Sequence, residues 1–293
     1  MPVLIRSGVM PRTIKFKGNT LTLVGRHLEA GDAAPDFRVV SLNLEEAGLS
    51  DFEGKIKVIT TFPSIDTPVC DLQVKEFNKR AAGLSSEIVI LGISKDLPFA
   101  QKRFCDSFSI KEIKLFSDYK FSSLGINYGL LIRELNLLAR SVIILDKNNV
   151  IRYLQVAEEL SIPLNYEEAL ATLKDVVQKP MLTVKEGGLP SKCVPCEGGV
   201  LALPKEKAEA LIAQSRGWQI VEEKKIIKEF RFKDFSEAKY FVDIIACIAE
   251  GEGHHPTITI AYNKVKITLT THAASGLTEN DFIMSRIIDQ IEA

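Results

Sequence analysis

Through the first half of the chain, short runs of β-branched residues alternate with stretches of helical period. KVITTF at 57–62, EIVILGIS at 87–94 and SVIILD at 141–146 read as buried strands. Between them, CDLQVKEFNKRAA (70–82) spaces Leu72, Val74, Phe77 and Ala81 as one helix face. PFAQKRFCDSF (98–108) does the same with Phe99, Arg103 and Phe104, behind a first-turn Pro98. Strand, helix, strand, helix, strand predicts an α/β layer fold with helices on both faces of the sheet. Upstream, TIKFKGNTLTLVG predicts a hairpin turning at Gly18-Asn19, and NYEEALATLKDVV (165–177) is a helix that closes this half.

The pattern changes after QKPMLTVKEGGLPSK (178–192), where Pro, Gly and Lys collect without periodicity; a linker is expected there. Beyond it, PKEKAEALIAQ (204–214), SEAKYFVDIIACIAE (236–250, N-cap Ser236) and TENDFIMSRIIDQI (278–291, opened by Thr278) are helical. KIIKEFRF (225–232) alternates as a half-buried strand, and TITIAYNKVKITLTTH (257–272) reads as a hairpin. This predicts an antiparallel sheet covered by helices on one face. With Asn263-Lys264 as the hairpin turn, Ile260 faces Ile267, Ile258 faces Leu269, and the same register carried outward sets His255 opposite His272. The domains expected are 1–178 and 190–293, joined by a linker at 179–189.

Composition narrows the function classes. The chain has 293 residues, 37 Lys+Arg against 38 Asp+Glu, and 46% hydrophobic residues. Neither half carries the basic excess of a protein that lives on nucleic acid or an anionic membrane. No apolar run approaches the roughly 20 residues of a bilayer span, and the N-terminal segment lacks the apolar core of a secretory signal. A cytoplasmic protein is expected, so the five cysteines (Cys70, Cys105, Cys193, Cys196 and Cys247) are not a structural disulfide framework.

Cys70 falls where a strand has ended, a Pro-bearing loop follows and a helix begins. There it meets the positive end of the helix dipole and unpaired backbone N–H groups, which favour an anionic sulfur. Thr67, three residues earlier, is placed to turn its hydroxyl toward the sulfur. An anionic sulfur attacks an O–O bond and becomes a sulfenic acid, which needs a second thiol to return to a reducible state; Cys105 is the candidate. Taken alone, each is as well read as a buried free cysteine. However, PSIDTPVC, with Pro63, Thr67 and Cys70 in P-x-x-x-T-x-x-C spacing, resembles the peroxiredoxin active-site motif, and SKDLPFAQKRFC (94–105) and LARSVIILD (138–146) resemble the thiol peroxidase branch. The resemblance covers about residues 14–177. It implies a thioredoxin-like fold, Cys70 as peroxidatic and Cys105 as resolving cysteine, and a disulfide between them within one subunit. It further implies Arg140 beside the sulfur, polarising the peroxide, with recycling by thioredoxin and a homodimer. Local unwinding of one or both helices is expected in each cycle.

Three of the four histidines lie within 19 residues: His254, His255 and His272. Clustered imidazoles serve as metal ligands, as acid–base pairs near neutral pH, or as plain polar residues on an open sheet face. AEGEGHHPTITIAYNKVKITLTTHAASGLTENDF (249–282) closely resembles pterin-4a-carbinolamine dehydratase: Glu250, His254, His255 and Pro256 form its E-x-x-x-H-H-P core, and Tyr262, His272 and Asp281 follow in the family order. CVPCEGG (193–199) and the segment 218–235 resemble its opening, so the likeness spans about 190–292. The implied reaction is loss of water from a 4a-hydroxytetrahydropterin, by histidines and without metal or other cofactor. Glu250, Pro256 and Asp281 would line the substrate site, and Pro63 the peroxide site.

Cys193-Val-Pro-Cys196 lacks a visible second ligand pair for zinc and reads as a loop feature, and Cys247 reads as core. Rival readings are a redox sensor that uses the same two cysteines, and a dehydratase-like domain kept as a dimerisation module.

Overall fold

The computed structural model describes residues 12–81, 85–178, 192–194 and 200–291. The expected linker and Cys196 lie outside them. The chain opens with a hairpin of β1 (Thr13–Phe16) and β2 (Asn19–Val24), whose register pairs Phe16 with Asn19. The turn is therefore Lys17-Gly18, one residue earlier than expected. Both residues have positive φ, as a type I′ turn requires, and the Glu159 carboxylate accepts from both amides.

β3 (Val39–Ser41), β4 (Glu46–Ala47), β5 (Ile56–Thr61), α1 (Pro68–Ala81), β6 (Ile88–Ser94), α2 (Pro98–Phe108), β7 (Ile113–Ser117) and α3 (Ser123–Asn127) follow. Then come β8 (Leu131–Ile132), β9 (Leu137–Leu138), β10 (Ser141–Leu145), β11 (Ile151–Val156) and α4 (Tyr166–Gln178). Seven strands form one sheet in the order β11-β10-β5-β6-β7-β3-β4, with β5, β6 and β7 parallel and the other pairings antiparallel. Apolar side chains fill both of its faces as two separate clusters, one around Val58, Val74 and Ile144, the other around Ile59, Leu91 and Ile143. The mostly β-branched and apolar runs of β5 and β6 suit such two-sided burial.

The second half comprises α5 (Lys205–Ile212), β12 (Gln219–Val221), β13 (Lys225–Arg231), α6 (Phe235–Glu252), β14 (Thr257–Ala261), β15 (Lys264–Leu269) and α7 (Glu279–Gln290). Its sheet, β12-β13-β15-β14, is wholly antiparallel. Ile226, Phe230, Val265, Ile267 and Leu269 bury one face against α6 and α7. Two local expectations are corrected. Asp234 caps α6, accepting from the Glu237 amide at 2.9 Å, so the helix starts before Ser236. The β14–β15 turn is Tyr262-Asn263, and Ile260 pairs with Val265, Ile258 with Ile267. Asn263 is pinned there by accepting from the Phe232 amide through its carbonyl and donating to the Phe232 carbonyl through its side chain. A slip of two residues keeps every side chain on its face, so alternation alone does not detect it.

The two halves pack together. Val24, Ile126 and Leu131 belong to the apolar cluster of the second half. Arg26 and Glu252 form an ion pair at 2.6 Å with both side chains buried. A Cβ on Gly251 of α6 would stand 2.9 Å from the Asn127 side-chain amide, so a larger residue there would push aside the group that donates to the Asp36 carbonyl. Among the described residues no helix is long and apolar enough to cross a membrane.

Candidate active sites

Cys70 sits on the first turn of α1, fully buried, in the same apolar cluster that the half-buried Cys105 of α2 borders. Two donors converge on its sulfur: the Thr67 hydroxyl at 2.7 Å and Arg140 Nη2 at 3.3 Å. Arg140, at the foot of β10, is 1% exposed. Its guanidinium is held by the Leu160 carbonyl, to which Nη2 donates at 2.9 Å, and by Gln73 Oε1 at 2.5 Å. A buried cation fixed on three sides cannot swing away, and its planar fork serves the sulfur and its own anchors at once. Pro63 is buried in the loop between β5 and α1. Both Cys70 and Cys105 are free thiols, and burial, with the Asp106 charge as a smaller cause, pushes the Cys105 thiol up to about 11.

Two residues here escape a reading by apolar period. Gln73 is fully buried and links Arg140 to the Thr60 hydroxyl and the Thr61 carbonyl. Asp96, between β6 and α2, accepts from the Ser64 hydroxyl at 2.7 Å, the Ile65 amide at 2.8 Å and the Ser94 hydroxyl at 2.7 Å. It thereby ties the loop leading to Cys70 to the segment that starts the Cys105 helix. The clue for Gln73 was its position three residues after Cys70, on the same helix face. Asp96 has no such signal, because its partners on the Cys70 loop, Ser64 and Ile65, are 32 and 31 residues away.

The histidines occupy different surroundings. His254 is buried and its Nε2 lies 2.8 Å from Asp281 Oδ1. Asp281 is fully buried, and its other oxygen accepts from the Thr271 hydroxyl at 2.9 Å and the Thr278 amide at 2.8 Å, closing a capping box on α7. His255 points elsewhere: it is 61% exposed and meets Glu250 Oε2 at 3.0 Å. His272 is exposed on a single 3₁₀ turn directly after Thr271. In the observed register His272 lies beyond the end of β15 and is not the cross-strand partner of His255. Asp281 orients His254 and, through Thr271, the backbone that carries His272. Glu250 and Pro256 flank the histidine pair, Glu250 exposed and Pro256 half-buried. Among the described residues no three His, Cys, Asp or Glu side chains are grouped as metal ligands. Cys193 is buried, its amide donating to Glu252 Oε2 at 2.7 Å.

Comparison with known proteins separates the two halves. A Redoxin family model matches residues 29–170, and a pterin 4 alpha carbinolamine dehydratase model matches residues 202–291. The thiol peroxidase of Bacillus subtilis is 44% identical over 165 residues, 56% of this chain and 98% of that protein. The thiol peroxidase of Aquifex aeolicus is 41% identical over 171 residues, 57% of this chain and all of that one. A crystal structure of a peroxiredoxin-like protein from Aquifex aeolicus superposes with a TM-score of 0.54 at 40% identity, covering 58% of this chain and 99% of that chain. The α/β half thus has the thioredoxin-like peroxiredoxin fold.

Proposed function

Since the chain belongs to the thiol peroxidase family through its N-terminal half and carries a pterin-4a-carbinolamine dehydratase domain behind it, we propose that it is a bifunctional enzyme whose two reactions run at Cys70 and at the histidine cluster. The observation that carries the first is the convergence of Thr67 and Arg140 on a buried sulfur. The Cys70 thiolate attacks the outer oxygen of hydrogen peroxide or an organic hydroperoxide. The O–O bond breaks, the sulfur keeps that oxygen as a sulfenic acid, and the departing alkoxide or hydroxide takes up a proton. Arg140 and Thr67 hold the sulfur and stabilise the negative charge that spreads over the two oxygens in the transition state. The Cys105 thiol then attacks the Cys70 sulfur, an S–S bond forms, and the hydroxyl leaves as water with the Cys105 proton. A dithiol reductant of the thioredoxin type returns both thiols. Cys70 is enclosed and Cys105 sits on a neighbouring helix, so the resolving step requires α1 or α2 to loosen.

The second reaction removes water from a 4a-hydroxytetrahydropterin to give the quinonoid dihydropterin. One group must deliver a proton to the leaving hydroxyl and another must take the proton from the ring nitrogen. His255 and His272 are exposed to a substrate; His254, buried and held by Asp281, is the oriented one of the three. Asp281 acts through His254, because it has no exposed atom. The domains run 1–178 and 190–293.

The test is peroxide consumption with a thioredoxin reducing system, together with pterin dehydration, on the same preparation. Cys70→Ser and Cys105→Ser are both expected to lose peroxide turnover, with a Cys70–Cys105 disulfide mapped in the wild type after one equivalent of peroxide. His255→Ala and His272→Ala are expected to lose dehydration alone. Oxidation that stays stoichiometric, without turnover, points to a redox sensor, and dehydration indifferent to both histidines points to a binding module.

A further inference from the structure

Glu252 is the last residue of α6, and its buried carboxylate turns one oxygen to each domain. Oε1 accepts from Arg26 Nη1 of the first domain at 2.6 Å, and Oε2 accepts from the Cys193 amide of the second at 2.7 Å. An acid at a helix C-terminus stands against the negative end of the helix dipole, and burial adds to the cost. The Arg26 charge, which offsets both, comes from the peroxidase domain. Arg26 is itself held in place. Its amide donates to the Ile126 carbonyl at 2.9 Å, and Gly25 before it, at φ +115°, passes too close to that carbonyl for a Cβ.

From Glu252 two routes lead to His254. The short one is the chain itself: Gly253 closes α6 with a positive φ, and the His254 amide donates back to the Ala249 carbonyl at 3.2 Å. The other crosses to α7. Val194, next to Cys193, lies along Asn280, whose side chain accepts from the Val194 amide at 3.0 Å and donates to the Val194 carbonyl at 2.7 Å. The next residue is Asp281, whose Oδ1 meets His254 Nε2 at 2.8 Å. The contacts thus close on themselves, from Glu252 through Cys193, Asn280 and Asp281 to His254 and back along the chain, and Arg26 enters them from the other domain.

We propose that Arg26 of the peroxidase domain is a positioning residue of the dehydratase site: by holding Glu252 it fixes the end of α6 and the start of α7, between which His254 is oriented. The proposal rests on reading the second domain as a pterin dehydratase. Substrate meets the histidines of that domain, and Arg26 acts on them through Glu252. The fusion thereby has a structural reason, since a charge that orders the second site is carried by the first domain.

The experiment uses the full chain and three variants: Arg26→Lys, Arg26→Met, and Arg26→Met combined with Glu252→Gln, which removes both charges of the pair so that neither is left buried alone. A carboxylate only accepts, so the contact with Asp281 requires a proton on His254 Nε2. The resonance of that proton is followed by NMR, beside kcat and KM for dehydration. Peroxide turnover certifies the fold of the first domain, and the emission of Trp218, the chain's single tryptophan, buried in the second, certifies the other. Both Met variants are expected to lose about ten- to a hundredfold in kcat, as a misplacement of about 1 Å implies. KM should hold within about twofold, and the Nε2 proton should broaden through exchange with water. Arg26→Lys should keep the resonance and about a third of kcat or more, because an ammonium brings the same charge and an N–H to Oε1. Wild-type kcat and resonance in the Met variants overturn the proposal. So does a fall in kcat with the resonance unmoved, a Lys variant no better than the Met ones, or absence of the resonance from the unmodified chain. If the resonance responds as expected and yet no chain dehydrates, Arg26 stands as the residue that orders His254 and the dehydratase reading falls.

Discussion

The two candidate sites in one chain differ in how they are enclosed. Around Cys70, the sulfur, Arg140 and Gln73 have almost no exposed surface, and each polar group has a fixed partner. Around His255, both the imidazole and the Glu250 carboxylate it meets are more than half exposed. The first site is organised before its substrate arrives, and on the proposed cycle it has to move, because Cys105 lies on a different helix. The second keeps one oriented imidazole, His254, inside and leaves His255 and His272 exposed. Pre-organisation predicts large, all-or-none effects of substitution at the first site and graded ones at the second.

Arg140→Ala is the most severe test. It removes a donor from the sulfur and leaves Gln73 Oε1 and the Leu160 carbonyl without their guanidinium partner in a buried place. Peroxide reactivity, read by stopped-flow loss of Cys70 thiol, is expected to fall about a hundred- to thousandfold. Lysine should not rescue it, since one ammonium cannot reach sulfur, amide and carbonyl together. A loss of less than about tenfold would mean the closed site is not what accelerates the reaction.

Glu252→Ala tests whether the two sites share one body. Removing one partner of a buried ion pair costs about 3–5 kcal/mol, and here it takes away the carboxylate that both Arg26 of the first domain and the Cys193 amide meet. A single, lowered unfolding transition by calorimetry is expected. Two separate transitions, with only the second lowered, would show that the domains unfold independently despite the shared cluster.

The elements themselves were readable: α2 runs over the expected 98–108, and β5, β6 and β10 lie within one residue of the apolar runs that predicted them. What escaped was the inward face of the helices beside the site. Apolar period puts Leu72 and Phe99 inside, whereas both are about two-thirds exposed and Gln73 and Gln101 are fully buried in their place. Each glutamine is there to satisfy polar groups at the sheet's end: Gln73 serves Thr60, Thr61 and Arg140, and Gln101 serves Ser94 and the Phe116 carbonyl. A hydrophobic pattern does not register that need, because it arises only after the sheet has assembled. Cys70, Thr67 and Arg140 came from a motif and do meet; the imagined His255–His272 pair came from a register that a two-residue slip left undetected.

Asp96→Asn sharpens the contrast on a smaller scale. The carboxylate accepts three hydrogen bonds, and an amide in its place offers one acceptor oxygen and adds donors where donors already point. The loop that presents Thr67 and Cys70 should loosen, lowering peroxide reactivity by about tenfold. Pterin dehydration should be untouched. An equal loss in both reactions would mean that Asp96 supports the fold as a whole rather than the first site.

The smallest expected effect concerns Cys105, the proposed resolving thiol, and asks whether the resting first site is closed at all. Burial is the larger reason for the raised Cys105 pKa and the Asp106 charge the lesser one. In a Cys70→Ser background, alkylation of Cys105 by iodoacetamide should therefore climb about tenfold per pH unit from pH 7 to 10 and level off only near 11, since the thiolate is the reacting form. Asp106→Asn removes a negative charge, which lowers the thiol pKa and raises the thiolate fraction at any pH below it. The gain should be no more than about threefold, because a charge that is partly solvated interacts weakly. A plateau near the ordinary cysteine range of about 8.5 would show that α2 already exposes Cys105 at rest. In that case the difference between the two sites would be one of shape, with no opening step for the oxidised enzyme to make.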